Sequence, residues 1–205
     1  MPLTIYALEK FVAQDISQLT ECIAVPVASE FPDSSSWLKF FVLNSIFKIT
    51  LPNDRAAFAF AIIRRAEGAI EDYETAREAL VRIAAGDKSI SVYFRCLRHF
   101  ESSIASLYQA LDFIRKALKI NLFDQGDDSP EERLNLLYNR SKHAAPEKLP
   151  EGQLHAIWIR KTGLFTDGAS LTFDELRNLI CFISGIADMF AKGEYPNQPS
   201  SSPDP

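Results

Sequence analysis

The sequence predicts an all-α fold: a helical bundle around a long antiparallel helix hairpin, with a small β-hairpin or extended flap before the last helix. Two observations predict the bundle. Apolar residues recur at three- and four-residue steps over most of the chain, and two long stretches of this kind are joined by a short loop at Gly86. A third observation predicts the flap, because the segment from Leu154 to Thr172 combines strand formers with turn signals such as Asp167-Gly168.

Length and composition fit one globular domain. The chain has 205 residues, of which 47% are hydrophobic and 24% are charged, so it contains enough apolar material for one sizeable core. We assign residues 1–192 to a single helical-bundle domain and residues 193–205, which are rich in Pro, Ser and Asp, to a disordered tail. The formal net charge of -5 argues against a basic footprint over the whole surface but leaves room for a local basic patch.

Cysteine usage and hydropathy predict a cytoplasmic protein. Cys22, Cys96 and Cys181 are widely spaced and odd in number, which is typical of buried reduced thiols rather than disulfides. No metal and no cofactor are expected, because only Cys96 and His99 stand at a zinc-ligand spacing, two ligands do not make a site, and there is no glycine-rich phosphate loop. The N-terminus lacks a secretory pattern, and the most apolar run, residues 40–51, is shorter than the roughly 20 residues that cross a bilayer, so no membrane partner is expected.

The first two helices follow from spacing and capping. Apolar residues at helical steps predict a first helix from Leu3 to about Ala24. Three serines after Asp33 offer N-caps for a second helix from Trp37 to about Phe47. This second helix is apolar on most sides, which predicts a central position in the bundle.

Two long helices form the predicted hairpin. Pro52-Asn53-Asp54 opens the first helix, and Gly86 provides its C-terminal stop, because glycine adopts the left-handed conformation without strain. Ser89 or Ser91 starts the second helix, which runs to about Ile120. Helices of this length that are joined by a short polar loop must pack antiparallel.

Capping boxes mark the starts of the last two helices. Ser129-Pro130-Glu131-Glu132 combines an N-cap serine, a proline at the first helical position and a glutamate at the third, and this helix should stop before Pro146. Thr172-Phe173-Asp174-Glu175 begins a last helix that runs to about Lys192. Leu171 and Leu176 flank this second box and can form its hydrophobic staple.

One polar cluster lies late in the helix that begins after Ser129, in Tyr138-Asn139-Arg140-Ser141-Lys142-His143. Asn139 and His143 are four residues apart, and Arg140 and His143 are three apart, so these side chains share a helix face. A histidine exchanges protons near neutral pH, and an arginine can hold a phosphate by two parallel hydrogen bonds. Together they could cut RNA without a metal ion, one group taking the 2′-hydroxyl proton and the cation stabilising charge at phosphorus.

From Pro52 to Lys192 the chain resembles a HEPN-type domain. The long helical hairpin carries the resemblance, followed by the shorter helix with Asn139, Lys142 and His143, and it extends to the flap and the start of the last helix. The resemblance implies a helical bundle that pairs as a homodimer. It also implies either an RNA-cleaving toxin or defence protein, often with a nucleotidyltransferase-like partner, or a binding module without catalysis.

The chain departs from the nuclease motif of that family, which is an arginine, four to six intervening residues and a histidine. His143 matches the histidine, but residues 136–138, which are Leu, Leu and Tyr, stand where the arginine should be. Arg140 is too close, and Arg133 is too distant. We therefore expect a HEPN-like interaction or regulatory module, in bacterial defence or a toxin–antitoxin pair, which forms a homodimer and binds an antitoxin-like protein.

Two alternatives stay open. The first is an active metal-independent endoribonuclease that would use His143 for proton transfer, Arg140 as the phosphate-binding cation and Asn139 as the orienting residue. Its RNA would be held by Lys142, Tyr138 and Arg133. The second is a structural helical bundle without a ligand, in which polar residues near the helix C-terminus only complement the helix dipole.

Other polar groups predict ordinary surfaces. A charged group on the fourth helix is assigned to a solvated face or an inter-helix salt bridge; it consists of Arg95, Arg98, His99 and Glu101. The acidic stripe between Glu67 and Glu78 is assigned to an exposed face. His155 and Trp158 in the flap could stack on a base or a partner, but packing of the tryptophan on the bundle is the commoner arrangement.

Overall fold

A computed structural model describes residues 3–14, 16–47, 53–143, 149 and 154–194. The described chain is mostly helical, and it also contains a small antiparallel sheet before the last helix. The all-α prediction is therefore right for the bundle and overstated for the whole fold. The α-helices are α1 (Leu3–Phe11), α2 (Trp37–Phe47), α3 (Asn53–Ala84), α4 (Ile90–Leu118), α5 (Pro130–Lys142) and α6 (Phe173–Lys192). The strands are β1 (Ile157–Arg160), β2 (Gly163–Thr166) and β3 (Ala169–Thr172), and 3₁₀-helices occur at Ile16–Gln18 and Ser34–Ser36.

The predicted hairpin is formed by α3 and α4, which share the most extensive packing of any two elements. Gly86 has a φ of 107°, and its N–H and that of Asp87 donate to carbonyls in the last turn of α3, as a C-terminal stop requires. Between the two helices, the Tyr73 and Phe100 rings are buried edge to face with centroids 6.0 Å apart. Alanines at positions 66, 69 and 76 are fully buried, so they leave room for such large side chains.

The first helix is shorter than predicted. It ends at Phe11 instead of running to Ala24, and the following segment is held by side chains of α3. Glu74 Oε1 accepts from the N–H groups of Val27 and Ala28, and the Tyr73 hydroxyl donates to the Val25 carbonyl at 2.9 Å. These tertiary hydrogen bonds satisfy the backbone in a non-helical path, which the apolar spacing could not reveal. The exposed-stripe assignment is wrong for Glu67 and Glu74, which are partly buried and accept backbone N–H groups, whereas Glu71 and Glu78 are exposed as predicted.

The second helix has the predicted bounds but lies at the edge of the bundle instead of its centre. Trp37 and Phe41 are buried, and the Trp37 indole N–H donates to Asp188 of α6 at 3.1 Å. On the other side of the helix, Phe40, Leu43 and Ile46 are 41%, 40% and 67% exposed. The prediction of a central position was wrong because overall apolarity does not say how many neighbours a helix has.

The flap is a three-stranded antiparallel meander in the order β1-β2-β3, not a two-stranded hairpin. Trp158 pairs with Phe165, and Leu164 pairs with Leu171. One face of the sheet is buried against the bundle, while the Arg160 guanidinium lies 4.8 Å from the centroid of the Phe165 ring on the other face. Glycine is required at position 163, where β2 pairs with the end of β3, since a Cβ there would lie 2.2 Å from the Leu171 carbonyl oxygen.

Local hydrogen bonds start the last two helices at the predicted residues. At α6 the capping box is complete, with the Glu175 N–H donating to Thr172 Oγ1 at 3.1 Å and the Thr172 N–H donating to Glu175 Oε2 at 2.9 Å. At α5 only half of the box forms. Ser129 Oγ accepts from the Glu132 N–H, but the Glu132 carboxylate accepts from loop N–H groups instead of that of Ser129. The predicted tail falls almost wholly outside the described residues, beyond 194.

Of the three cysteines, Cys96 is buried as predicted, and its thiol donates to the Ala76 carbonyl at 3.2 Å. Burial raises the pKa of the Cys96 thiol, so it stays protonated. Cys22 and Cys181 are only partly buried, which corrects the prediction for these two. All three are free thiols.

Candidate functional site

The cluster at the end of α5 lies on the surface. Asn139 and His143 are exposed, and the Asn139 side-chain amide donates to Asn135 Oδ1 at 2.9 Å. His143 caps the helix, and its backbone N–H donates to the Asn139 carbonyl at 2.9 Å. The His143 imidazole and the half-buried Arg140 guanidinium form no hydrogen bond or ion pair with any residue that the structure describes. The His143 and Arg140 side chains therefore lack an orienting partner within the described chain, whereas Asn139 is held by Asn135.

Tyr138 and Lys142 are placed against α4. The Tyr138 ring stacks on Tyr108 of α4 with centroids 4.4 Å apart, and Lys142 Nζ lies 5.8 Å from the Tyr138 centroid. Burial raises the pKa of the Tyr108 hydroxyl, so that phenol stays neutral. Tyr138 thus packs α5 on α4, while the exposed Lys142 carries its charge at the outer end of this stack.

Arg133 lies at the other end of α5 and has a structural partner. Its guanidinium pairs with Glu175, the capping residue of α6, and with Asp128 in the loop before α5. Ten residues separate it from His143, which corresponds to about 15 Å along a helix axis. The fold therefore does not bring Arg133 together with Arg140 and His143.

Ser141 connects this cluster to a second group of polar side chains on α4. Its hydroxyl donates to Glu101 Oε1 at 3.1 Å, and the same oxygen lies 3.8 Å from His155 Nε2. His155 Nδ1 lies 3.0 Å from the Ile157 carbonyl oxygen, which anchors the ring at the start of β1. Glu101 is thus the point at which α4, α5 and the segment before β1 meet.

The environment of Glu101 shifts the pKa of its carboxyl upward. Burial raises the pKa of the Glu101 carboxyl, and the opposing influences of His155 and the Ser141 hydroxyl are smaller. A carboxyl group and an imidazole at this separation can exchange a proton between them, directly or through a water molecule.

A cleft of about 410 Å³ opens beside this pair, between α4 and the segment that leads into β1. Its volume falls within the range of about 300–1,000 Å³ that is usual for small-molecule sites. Phe94 and Leu97 form its apolar wall, and Phe94 is 39% exposed. The polar wall consists of Ser91, Arg95, Arg98, Glu101 and His155.

The charged group on α4, which the sequence assigned to a solvated face or an inter-helix salt bridge, has its members in two different environments. His99 forms the predicted inter-helix bridge, with its Nδ1 2.8 Å from Asp72 Oδ1 on α3. Arg95, Arg98 and Glu101 line the cleft instead. Arg95, Arg98 and Glu101 are spaced by three residues, and Ser91 lies four residues before Arg95, so the sequence places all four on one helix face. Nothing local indicates that His155 faces it.

Among the residues that the structure describes, no three His, Cys, Asp or Glu side chains are arranged to hold a metal ion. Within the same ranges, no helix has the length and apolarity that crossing a membrane requires.

Comparisons with models of known families, with curated proteins and with solved structures find no significant match to this chain. Functional inference therefore depends on the geometry of the α5 cluster and of the α4 cleft.

Proposed function

We propose that this chain is a HEPN-like interaction or regulatory module, with a role in bacterial defence or a toxin–antitoxin pair, and that it does not cleave RNA. The observation that carries the proposal is that no residue among those that the structure describes orients the His143 imidazole. A general base works when a second group holds its ring in position, and supporting side chains normally lock a catalytic constellation. Asn139 is instead bound to Asn135, and Arg133 is paired with Glu175.

The exposed side of α5 supplies the proposed contact surface for an antitoxin-like protein. It presents the amides of Asn135 and Asn139, the ammonium of Lys142 and the imidazole of His143, all of which donate or accept hydrogen bonds. A positive end of α5 on a chain with a net charge of -5 provides directional attraction for an acidic partner.

The proposed homodimer uses the exposed apolar side of α2. Phe40, Leu43 and Ile46 leave a large part of their side chains in water, and an apolar patch of this kind gains free energy when a second surface covers it. The measurement is the molar mass by light scattering after gel filtration. We expect a dimer for the wild type and a monomer for Leu43→Ser/Ile46→Ser, whereas a monomeric wild type at about 100 μM would contradict the dimer.

The alternative of a metal-independent endoribonuclease is favoured by one observation. His143 and Lys142 are exposed at the same helix end, so a phosphate group could reach both side chains without a rearrangement of the core. In this alternative Arg140 supplies the second cation.

RNA cleavage in the presence of a metal chelator distinguishes the two functions. Wild type, His143→Ala and the control Arg64→Ala, which changes an exposed residue of α3 away from α5, are incubated with total RNA and with tRNA. We expect no cleavage by any of them. Cleavage by the wild type and Arg64→Ala that disappears in His143→Ala would replace the proposed function with the endoribonuclease. A wild type that neither cleaves RNA nor forms a dimer would leave the structural bundle without a ligand.

A further inference from the structure

An exposed apolar strip on α4 runs beside the cleft. Ile90 and Phe94 are four residues apart, so they share a helix face, and they are 47% and 39% exposed. The Phe94 ring lines the cleft and meets the His155 ring edge to face with centroids 6.3 Å apart. Covering such a strip with an apolar side chain gains free energy, so the apolar wall of the cleft is a contact that a ligand can use.

Two arginines next to this strip have no described partner. Arg95 and Arg98 are exposed and three residues apart, and neither forms an ion pair or hydrogen bond with another described residue. Glu101 lies three residues beyond Arg98, but it accepts from Ser141 and faces His155 instead. Like charges on one helix face repel each other, and a bound acidic group relieves that repulsion. On a chain with a net charge of -5, the two arginines thus form a local positive site.

The two ends of the cleft offer groups that can bind a polypeptide backbone. Glu101 Oε2 has no hydrogen-bond partner within the described ranges and can accept from an N–H group. At the other end, the Ser91 hydroxyl contacts Ser89 Oγ at 3.4 Å and keeps a lone pair for a second hydrogen bond. Such groups suit an extended segment, whose backbone N–H groups need partners, more than a helix, which pairs its own.

The dimensions of the cleft also favour an extended segment. Ser91 and Glu101 are ten residues apart on α4, which corresponds to about 15 Å. Four or five residues of extended chain span that distance at about 3.3 Å each. A helix of the same length with a diameter of about 10 Å fills roughly 1,200 Å³, whereas the cleft has about 410 Å³. A helix would therefore have to lie largely outside the cleft.

The two walls of the cleft specify the side chains of such a segment. In an extended chain, successive side chains point to opposite sides. One set faces the polar wall, where guanidinium groups bind carboxylates through pairs of parallel hydrogen bonds. The other set faces Phe94 and Leu97 on the apolar wall. The segment that fits both walls alternates acidic and apolar residues.

We propose that this cleft binds an extended segment of a partner protein in which acidic and apolar residues alternate. The carboxylates pair with Arg95 and Arg98, an apolar side chain covers Phe94, and a backbone N–H group of the segment donates to Glu101. This contact is separate from the α5 surface, so it does not depend on whether the His143 end of α5 binds an antitoxin-like protein or cleaves RNA.

Fluorescence anisotropy with a fluorescein-labelled peptide, Glu-Leu-Glu-Leu-Glu, tests the site in the full-length protein. The variants are Arg98→Gln, Phe94→Ala and the matched control Arg64→Gln, which removes an exposed arginine of α3 outside the cleft. Loss of a charge-assisted hydrogen bond corresponds to at least about a tenfold weaker Kd, which we expect for Arg98→Gln but not for Arg64→Gln. Circular dichroism verifies that each variant is folded.

Two further peptides separate the charged contact from the apolar one. Gln-Leu-Gln-Leu-Gln lacks the carboxylates and Glu-Ser-Glu-Ser-Glu lacks the apolar side chains, so both should bind more weakly than the first peptide. Phe94→Ala should weaken the binding of Glu-Leu-Glu-Leu-Glu and leave that of Glu-Ser-Glu-Ser-Glu unchanged.

Four outcomes would overturn the proposal. They are no binding of Glu-Leu-Glu-Leu-Glu at about 1 mM, equal binding of the glutamate and glutamine peptides, and an equal loss in Arg64→Gln and Arg98→Gln. The fourth is an unstructured RNA pentanucleotide that binds more tightly than the peptide and loses this affinity in Arg98→Gln, which would assign the cleft to RNA.

Discussion

Glu101 shows how the position of one side chain depends on three separate parts of the chain. It lies on α4, accepts a hydrogen bond from α5 and faces His155 before β1. Its charged neighbours in the cleft are His155, Arg95 and Arg98. The sequence predicted a charged group here, and it predicted the helix that carries the group. The partner His155 could not be predicted, because no local pattern connects positions so far apart in the chain.

The raised pKa of Glu101 predicts a pH-dependent effect of Glu101→Gln. A carboxyl whose pKa is higher in the folded state than in the unfolded chain stabilises the fold below its unfolded pKa. This contribution is lost as the pH rises through the folded pKa, so the ionised carboxylate costs stability at neutral pH. Glutamine cannot ionise and keeps an oxygen that accepts from Ser141. We therefore expect Glu101→Gln to raise the Tm more at pH 8 than at pH 4.

Thermal unfolding of wild type and Glu101→Gln at both pH values checks this prediction. Glu78→Gln is a suitable control, since it makes the same substitution at an exposed carboxylate of α3. A Glu101→Gln variant that is less stable than the wild type at pH 8, and equally stable at pH 4, would mean that the carboxylate is net stabilising and that the direction of the shift is wrong.

At the scale of elements, the two N-caps of α4 and α6 provide a matched comparison. Thr172 forms a complete capping box with Glu175, whereas the side chain of Ser89 makes no capping hydrogen bond to α4. Thr172→Ala should therefore lower the free energy of unfolding by about 1 kcal/mol, and Ser89→Ala should cost clearly less. Urea denaturation of both variants measures the difference, and equal losses would show that the box adds nothing to α6.

Gly163 and Gly185 provide a second comparison between elements. An alanine Cβ at position 163 would meet backbone atoms of Leu171 and Thr172, which cannot move without disrupting the β2–β3 pairing. Gly163→Ala should cost more than about 2 kcal/mol. Position 185 lies inside α6 with no atom within 4 Å of a new Cβ, so Gly185→Ala should stabilise the protein by about 0.5–1 kcal/mol. Both values come from urea denaturation, and a stable Gly163→Ala would argue against the register of the sheet.

At the scale of the whole molecule, one cluster of buried side chains runs from α1 through the strands to α6. A continuous core predicts a single cooperative unfolding transition, and observing it would test the single-domain prediction for residues 1–192. The two tryptophans provide separate probes, because Trp37 lies on α2 and Trp158 lies in the sheet. Trp37→Phe and Trp158→Phe should show the same urea midpoint by fluorescence as by far-UV circular dichroism. Separate midpoints would divide the chain into two folding units.

The sequence by itself determined the features that depend on residues within about four positions of each other. The starts of α5 and α6, the stop at Gly86 and the long α3–α4 hairpin are all encoded by local hydrogen bonds and by the period of the apolar residues. The same reasoning placed Asn139 and His143 on one helix, and the structure has both exposed there.

Only the tertiary structure decided how the elements meet. The end of α1, the edge position of α2 and the third strand depend on hydrogen bonds and packing between distant segments, such as those of Glu74 with residues 27 and 28. The α4 cleft has the same origin, since His155 reaches Glu101 only when the sheet packs on the bundle. Local periodicity shows which face of a helix is apolar. Which element packs on that face, or whether it stays exposed, depends on contacts between residues that are far apart in the sequence.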